Sequence, residues 1–348
     1  MKLRKLLKIS AIVLLFVVLT CFVLSYFVIV KDNFSVQQGN ELIYIDKNTT
    51  FADLKEDMLQ KGVIKNRLTF EICAKIFRAD GHIKIGAYSV DGLSNGKFFN
   101  NITKQRQTPV KLKINNIRLK QQLAAKISKQ VNIDSLDIIN HLNDGVFLQK
   151  YGLNPQTAIS LFIPNTYEVY WTVSSEELFD KMKAANTVFW TEKRLKQAAE
   201  IPLTPVEVSV LASIVEEETN KKYEKPIIAG LYINRLRQNM RLQADPTARF
   251  AFGDFGITQV LYGYLKIDSP YNTYIYGGLP PGPIRMPSIE GIDAVLNYDK
   301  NNYLFMCAKP ELNGEHNFSQ TYSEHQLYQA KYHKAYKEWK MKKEMINN

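Results

Sequence analysis

The longest apolar segment of the chain lies at its start. It runs without a charge for 22 residues, from Ile9 to Val30, and follows the basic residues Lys2, Arg4, Lys5 and Lys8. A helix of this length, at about 1.5 Å per residue, crosses a hydrocarbon core of about 30 Å. No small-x-small cleavage site follows, which favours a single-pass plasma-membrane anchor over a removed signal peptide. The basic residues predict a cytoplasmic N-terminus and an extracytoplasmic body, periplasmic where an outer membrane is present.

After the anchor, the hydrophobic pattern changes from one continuous run to short elements. A polar stretch predicts a linker, and we expect a small β-α-α-β unit with one further strand beyond it. The predicted elements are a strand at Leu42–Ile45, a helix from Thr50 to near Gly62, a helix at 67–77, a strand through Ile83, Ile85 and Ala87, and a strand through Val110, Leu112 and Ile114. The unit has no clustered acid, base or nucleophile, so we interpret it as a binding or positioning module.

From residue 117 to residue 199 the apolar residues recur mainly at helical spacing, which predicts a mostly helical region. The segment FIPNTYEVYW, Phe162 to Trp171, adds a cluster of aromatic residues. Exposed aromatic rings can stack on sugars, whereas buried rings form a core. Core packing is the favoured interpretation, and sugar stacking is the alternative.

The stretch TPVEVSVLASIVEEET, Thr204 to Thr219, carries clear helix signals. Thr204 and Glu207 suit a capping box, and Pro205 suits the first helical position. The apolar spacing predicts one buried face, with the rest of the helix facing outward. The residues of that face are Val208, Leu211, Ala212, Ile214 and Val215.

Three glutamates end this helix on different faces, because each residue turns the helix by about 100 degrees. Glu217 lies opposite the apolar stripe, Glu216 at its edge and Glu218 within it. A carboxyl at the end of a buried stripe is partly desolvated, which raises its pKa and suits a general acid. A solvated helix end is the alternative, although carboxylates at a helix C-terminus oppose the macrodipole. Because three carboxylates are unfavourable at this end of the helix, their presence favours a functional role for Glu216–Glu218.

The remaining pattern predicts helices separated by irregular loops. A loop from Ser269 to Ile284 is rich in Tyr, Gly and Pro, and we expect it to shape a surface. The other predicted elements are a helix through Ile227, Leu231 and Leu236, a short strand before a turn at Asp245–Pro246, a helix at 288–296, a strand at 303–308, the segment GEHNFS at 314–319, and a basic helix ending near Lys343.

Composition narrows the classes of partner. The formal charge is +11 over 348 residues, which fits anionic envelope polymers and lipid head groups. No Arg-rich arm, zinc-finger spacing or RNA-binding signature indicates a nucleic-acid partner, and no spacing indicates a metal site. Cys73 and Cys307 are interpreted as small buried residues, with a disulfide between them left open. His316 and His325 are interpreted as surface or hydrogen-bonded structural groups.

Six motifs occur in one order: ASIVEEET, NRL, LQADPT, YNTY, GLPPGPI and HNFS. Together with the anchor and the small module, they make the chain resemble the endolytic murein transglycosylases, the MltG or YceG-like family, up to about residue 330. The resemblance implies an α+β fold in five parts. These are a cytoplasmic tip and transmembrane anchor at 1–30, a linker at 31–42, a LysM-like α/β module at 43–115, a helical connecting region at 116–200 and an α+β YceG-like catalytic domain at 201–348.

The resemblance also implies an activity. The family's enzymes are membrane-anchored lyases that cut the MurNAc–GlcNAc bond within peptidoglycan strands and leave 1,6-anhydroMurNAc ends. We therefore expect a lytic transglycosylase without a cofactor that terminates the elongation of nascent strands. Glycan strands are the expected partner, and peptidoglycan synthases are candidate protein partners.

Site residues follow from the same motifs. The family's catalytic glutamate corresponds to Glu218, which the helical-face argument selects independently. The implied substrate or supporting positions are Gln243, Asp245, Thr247, Tyr271, Asn272, Thr273 and Tyr274, with 278–284 as a wall. Asn165, where the family usually has Asp, and Ala248–Phe250, where Tyr is usual after DPT, depart from the pattern and bear on how sugars are held. The alternatives are a hydrolytic muramidase with Asp245 as second carboxylate and a non-catalytic glycan-binding scaffold.

Overall fold

The computed structural model describes residues 2–35, 42–256 and 263–347. The chain forms two compact units. The first unit comprises the chain up to Leu112 together with residues 130–132 and 168–173, and the second comprises the remainder. The predicted division of the second part at residue 200 into a connecting region and a catalytic domain stays a prediction.

The N-terminal segment is one long apolar helix. Helix α1 (Lys2–Ser25) continues into a π-helical turn at Tyr26–Val30. The stretch Arg4–Val30 is long and apolar enough to cross a membrane, and its most apolar window is not buried against the rest of the protein. These properties fit a single-pass membrane anchor.

The first unit contains the predicted β-α-α-β order. Its elements are β1 (Leu42–Ile45), α2 (Phe51–Gln60), α3 (Arg67–Ile76), β2 (Gly86–Ser89) and α4 (Asn95–Thr103). Strands β1 and β2 pair antiparallel. Thr50 caps α2 through a capping box with Asp53, and Gly62 follows the helix at a φ of 64°, a conformation that glycine adopts without strain. Helix α4 was not predicted, because its Asn- and Gly-containing sequence has weak helix propensity.

The predicted linker at 31–42 begins inside the folded unit, which corrects the expectation of a simple polar connector. Phe34 is buried and packs on Phe70 and Phe98. The side-chain amide of Asn33 donates to the backbone oxygen of Asn66 and to the side-chain oxygen of Asn95, both at 2.9 Å. Residues 36–41 of the predicted linker lie outside the described residues.

The remaining elements place the candidate site. Strands β3 (Val110–Ile114) and β4 (Asn165–Val169) form a two-stranded sheet, and β5 (Phe305–Ala308) and β6 (His316–Ser319) form an antiparallel pair. The helices are α5 (Lys120–Ser128), α6 (Ser135–Asn143), α7 (Gly145–Gln149), α8 (Ser175–Phe189), α9 (Glu192–Glu200), α10 (Pro205–Glu218), α11 (Lys225–Arg237), α12 (Asp245–Phe252), α13 (Ile289–Leu296) and α14 (Tyr322–Asn347), with short 3-10 turns at Ala158–Leu161 and Tyr264–Lys266.

The region predicted to be mostly helical also contains one strand, β4, within the segment FIPNTYEVYW, and the burial of Phe162 and Tyr167 fits the core interpretation. One local prediction is wrong. Asp245 and Pro246 begin helix α12 instead of forming a turn after a strand. Pro246 explains this start, because proline is compatible with the first turn of a helix.

Helix α10 is the central helix of the second unit. All residues from Val208 to Val215 are buried, so the expectation of an outward-facing remainder is wrong. Ser213 shows why: its hydroxyl accepts the backbone N–H of Ile284 at 3.0 Å, and this contact brings the GLPPGPI segment over the helix. Gly291 of α13 allows an equally close approach, since a Cβ there would lie 2.6 Å from Glu216 Oε2. The end of α10 is therefore held on several sides.

Candidate active site

Glu218, the last residue of α10, opens onto a cavity of about 430 Å³ within the second unit. The cavity walls come from α11, from the segment at 242–245, from Tyr274, from the β5–β6 hairpin and from α14. The polar side chains that line it are Glu218, Tyr232, Arg235, Gln243, Asp245, Tyr274, His316, His325 and Gln329. The cavity thus brings the predicted acid together with three of the seven implied substrate positions.

The Glu218 carboxyl is half-buried and is held by one tyrosine. The Tyr232 hydroxyl donates to Glu218 Oε1 at 2.5 Å. Burial raises the pKa of Glu218 to about 7, and the negative charge of Asp245 adds to this effect, while the Tyr232 hydrogen bond and the charges of Arg235 and Arg249 oppose it. Near neutral pH this group therefore exchanges a proton readily, as a general acid must.

The two neighbouring glutamates have strong cationic partners. Glu217 was expected to face outward, yet its side chain is 6% exposed and pairs with Arg118 and Arg285, each at 2.6 Å, and with Arg249. Burial alone would raise the pKa of Glu217, but the Arg118 hydrogen bond and the three positive charges hold it below 4.5. The prediction failed because distant segments cover that face of the helix.

Glu216 is fixed by a different set of groups. It accepts a hydrogen bond from Ser288 at 2.7 Å and pairs with Lys225 at 3.2 Å. Among the described residues, Glu218 is the member of the triplet without a directly bonded cation. No directly bonded cation therefore opposes the effect of burial on the pKa of Glu218.

Arg235 organises the rim of the cavity. Its guanidinium donates to the backbone oxygens of Leu304 at 2.6 Å and of Leu242 at 2.7 Å, and to Gln243 Oε1 at 3.4 Å. These contacts fix the segment that carries Gln243 and Asp245 against the start of the β5–β6 hairpin. Asp245 in turn accepts the Tyr274 hydroxyl at 2.5 Å.

The other implied positions lie outside the cavity lining. Thr247 and Thr273 are buried and join through their hydroxyls at 2.8 Å, and Thr273 also accepts the Ala244 N–H at 3.0 Å. Asn272 is buried, and its amide donates to two backbone oxygens. Tyr271 packs on Phe250, with ring centroids 4.8 Å apart. Direct sugar contact is not available to the three buried side chains in this conformation, because their polar atoms are committed to the fold.

Several lining residues were not selected as site residues from the sequence. Tyr232 and Arg235 belong to a helix predicted only as amphipathic. Arg235 lies within the motif NRL, but no spacing signal assigns either residue to the site. His316 and His325 were interpreted as surface or structural groups, and both line the cavity. Cys307 lines it as well. Cys307 and the buried Cys73 both carry free thiols. Within residues 2–35, 42–256 and 263–347, no group of three or more His, Cys, Asp or Glu residues is arranged to hold a metal ion.

One proton-bearing carboxyl in an open polar cavity defines a site for general acid chemistry. The chain belongs to the YceG-like family, whose model matches residues 43–331. The crystal structure of a YceG-like protein from Listeria monocytogenes aligns with a TM-score of 0.54 at 27% identity, over 82% of this chain and 97% of that one. The mixed helix and strand fold with a YceG-like domain is therefore confirmed.

Two relatives carry an activity in their names. The chain is 32% identical over 225 residues to the endolytic murein transglycosylase of Bacillus subtilis, and this alignment covers 61% of this chain and 62% of that protein. It is 33% identical over 153 residues to the endolytic murein transglycosylase of Streptococcus pneumoniae strain R6, and this alignment covers 42% of this chain and 27% of that protein. The aligned part thus spans less than two thirds of either relative.

Proposed function

We propose that this chain is a membrane-anchored endolytic murein transglycosylase that cuts the MurNAc–GlcNAc bond within peptidoglycan strands. The observation that carries the proposal is Glu218, a half-buried carboxyl with a pKa of about 7 at a cavity of about 430 Å³. The names of the Bacillus and Streptococcus relatives support the substrate class. The expected product end is a 1,6-anhydroMurNAc residue, and release of such ends would terminate nascent strands.

A single carboxyl suffices for this reaction. Protonated Glu218 gives its proton to the glycosidic oxygen as the bond from that oxygen to C1 breaks. The C6 hydroxyl oxygen of the MurNAc residue attacks C1 of that residue, and the proton of the hydroxyl passes to the Glu218 carboxylate. The acid is regenerated without consumption of water, because the nucleophile is already attached to the substrate.

The surrounding residues divide into contact and support. Gln243, Asp245 and Tyr274 line the cavity and would hydrogen-bond the sugar or offer a ring face to it. Thr247 and Thr273 would act indirectly, by holding the start of helix α12, which carries Asp245.

One observation favours a second candidate, a hydrolytic muramidase. Asp245 lines the same cavity as Glu218, and ordinary glycoside hydrolysis uses two carboxyl groups, one as acid and one as base or nucleophile. In that case Asp245 would activate water, and the product would carry a hydrated reducing end.

The test is the mass of the released fragments. We would incubate the full-length chain in detergent with purified peptidoglycan and compare wild type, Glu218→Gln and the matched control Glu200→Gln, which changes an exposed glutamate at the end of α9. Anhydro ends, one water lighter than hydrolysis products, from wild type and the control alone support the proposal. Hydrated ends from wild type would replace it with the muramidase.

A folded protein that yields no Glu218-dependent product would contradict both enzymatic candidates. A non-catalytic scaffold would then remain, and Glu218→Gln would leave the cellular role intact.

The module and the anchor extend the proposal. The antiparallel β1–β2 pair with its two intervening helices would act as a LysM-like glycan-binding module, and the positive charge before the anchor supports a cytoplasmic N-terminus with an extracytoplasmic second unit. Peptidoglycan synthases, which make the strands, are the candidate protein partners. Protease added to intact spheroplasts should cut the second unit, and protection of that unit would reverse the orientation.

A further inference from the structure

His316 occupies a position that the single-acid mechanism does not use. It lies on β6 and lines the same cavity as Glu218. Its ring Nδ1 lies 3.1 Å from Glu224 Oε2, and its backbone N–H donates to Glu224 Oε1 at 2.7 Å. Two contacts with one carboxylate fix both the backbone and the ring.

Glu224 is a buried carboxylate, 2% exposed, that accepts hydrogen bonds on both oxygens. The Thr219 hydroxyl accepts the Lys221 N–H at 3.0 Å, so its own hydrogen is free to donate to Glu224 Oε2 at 2.8 Å. With Glu224 accepting throughout, His316 Nδ1 must carry a hydrogen. In the neutral ring, Nε2 is then an acceptor.

The same carboxylate links the ring to the acid. Thr219 directly follows Glu218 as the C-cap residue of α10, while Glu224 precedes α11. One buried group therefore fixes the end of the helix that bears the acid and the histidine that faces the acid's cavity. Among the described residues, His316 Nε2 has no hydrogen-bond partner, whereas the other ring nitrogen is committed.

We propose that His316 is a substrate-contacting residue whose Nε2 accepts a hydrogen bond from a sugar hydroxyl or amide N–H bound beside Glu218, and that Glu224 is the positioning residue that sets its tautomer. The inference rests on the proposed function and adds a glycan contact to it. It requires no proton transfer by His316.

The variant Glu224→Gln isolates the tautomer. Its carbonyl is expected to keep the hydrogen bond from the His316 backbone N–H, which turns the amide NH₂ toward Nδ1 and the Thr219 hydroxyl. Nδ1 must then accept, and Nε2 becomes a donor. The substitution keeps the volume of the side chain and reverses the hydrogen-bonding role of Nε2, the ring nitrogen without a partner among the described residues.

We would measure glycan cleavage by full-length wild type, His316→Ala, Glu224→Gln and His333→Ala, a matched control on the exposed side of α14. Loss of one neutral hydrogen bond to substrate predicts a fall of about 10-fold in kcat/KM for His316→Ala. Glu224→Gln should show the same fall where the partner is an amide N–H, and a smaller one where it is a sugar hydroxyl, which can turn and accept instead. The fall should appear mainly in KM, because the contact is present in both bound substrate and transition state. The control should match wild type.

A readout independent of catalysis is the ¹⁵N spectrum of the imidazole rings, which reports the tautomer directly and involves five histidines. Wild type should show His316 protonated at Nδ1, and Glu224→Gln should show the reverse. A purely structural role would instead lower Tm without a selective rise in KM. If His316→Ala fails to fold, the kinetics of Glu224→Gln and the ¹⁵N spectrum still test the proposed role of His316.

Wild-type kcat/KM in a folded His316→Ala, or an unprotonated Nδ1 in wild type, would overturn the inference and leave the proposed function intact. Wild type that releases no Glu218-dependent product would overturn the proposed function and the inference with it. The parallel Glu218→Gln measurement separates the two cases.

Discussion

Replacing Tyr232 with phenylalanine should change the pH dependence of the reaction in a defined direction. The Tyr232 hydroxyl donates to Glu218 Oε1 at 2.5 Å and therefore stabilises the charged carboxylate. Without this donor the protonated form is favoured, so the pKa of Glu218 should rise above its present value of about 7. The acid would then remain protonated to higher pH.

The magnitude follows from the contact. A hydrogen bond to a charged group contributes about 1.5 to 3 kcal/mol, and one pKa unit corresponds to about 1.4 kcal/mol. The pKa of Glu218 should therefore increase by about 1 to 2 units. The same hydroxyl orients the carboxyl, so the plateau of kcat/KM should fall at the same time.

The assay is the pH profile of kcat/KM for the full-length chain in detergent, whose alkaline limb reports the essential acid of the free enzyme. Tyr298→Phe is a suitable control. The Tyr298 hydroxyl accepts Arg237 Nη2 at 3.0 Å, and Tyr298 does not line the cavity. An alkaline limb that stays in place, or that moves to lower pH in Tyr232→Phe, would show that Tyr232 does not tune the catalytic acid.

Three further predictions concern stability. Glu218→Gln should stabilise the chain by about 3 kcal/mol above pH 7, because a pKa raised from 4.5 to about 7 means that stability falls as pH rises through this window, and denaturant unfolding near pH 4 should show no such gain. Glu217→Gln should cost about 3 to 5 kcal/mol by leaving three arginines uncompensated, which calorimetry can measure against a small effect of Glu200→Gln. Thr273→Val should cost about 1 to 3 kcal/mol and lower kcat/KM together, since the Ala244 N–H loses its acceptor; a loss of activity at unchanged Tm would instead indicate a sugar contact.

The elements with strong local signals were the predictable part of the fold. The cap at Thr50, the strand at Leu42–Ile45 and the helix beginning at Pro205 lie where the sequence predicts them. Helix α4 was missed because it is stabilised by burial of Phe98 against Phe34 and Phe70, and strand β4 because it forms by pairing with β3, in both cases through residues distant in sequence. Tertiary contacts override local propensity in such segments.

For the site, helical geometry selected the residue but not its surroundings. The angular position of Glu218 predicted a desolvated carboxyl, and the structure gives that carboxyl a pKa of about 7. Tyr232 and His316 reach the same cavity from separate elements. No periodicity connects them to Glu218, so neither was assigned to its site, although His316 lies in the motif HNFS. The motif residues Thr247 and Thr273 have a structural role instead, because their buried hydroxyls hydrogen-bond to each other and Thr273 accepts the Ala244 N–H.

The three glutamates at the end of α10 are best understood together. Adjacent carboxylates at a helix C-terminus repel one another and the macrodipole, so each needs a separate compensation. Lys225 and Ser288 compensate Glu216, and three arginines compensate Glu217. Glu218 instead accepts a hydrogen bond from the neutral Tyr232 hydroxyl, and protonation of its carboxyl removes the remaining repulsion. Because the neighbouring charges are neutralised locally, the helix can end in a carboxyl that keeps its proton near neutral pH, which is the property that the proposed reaction requires.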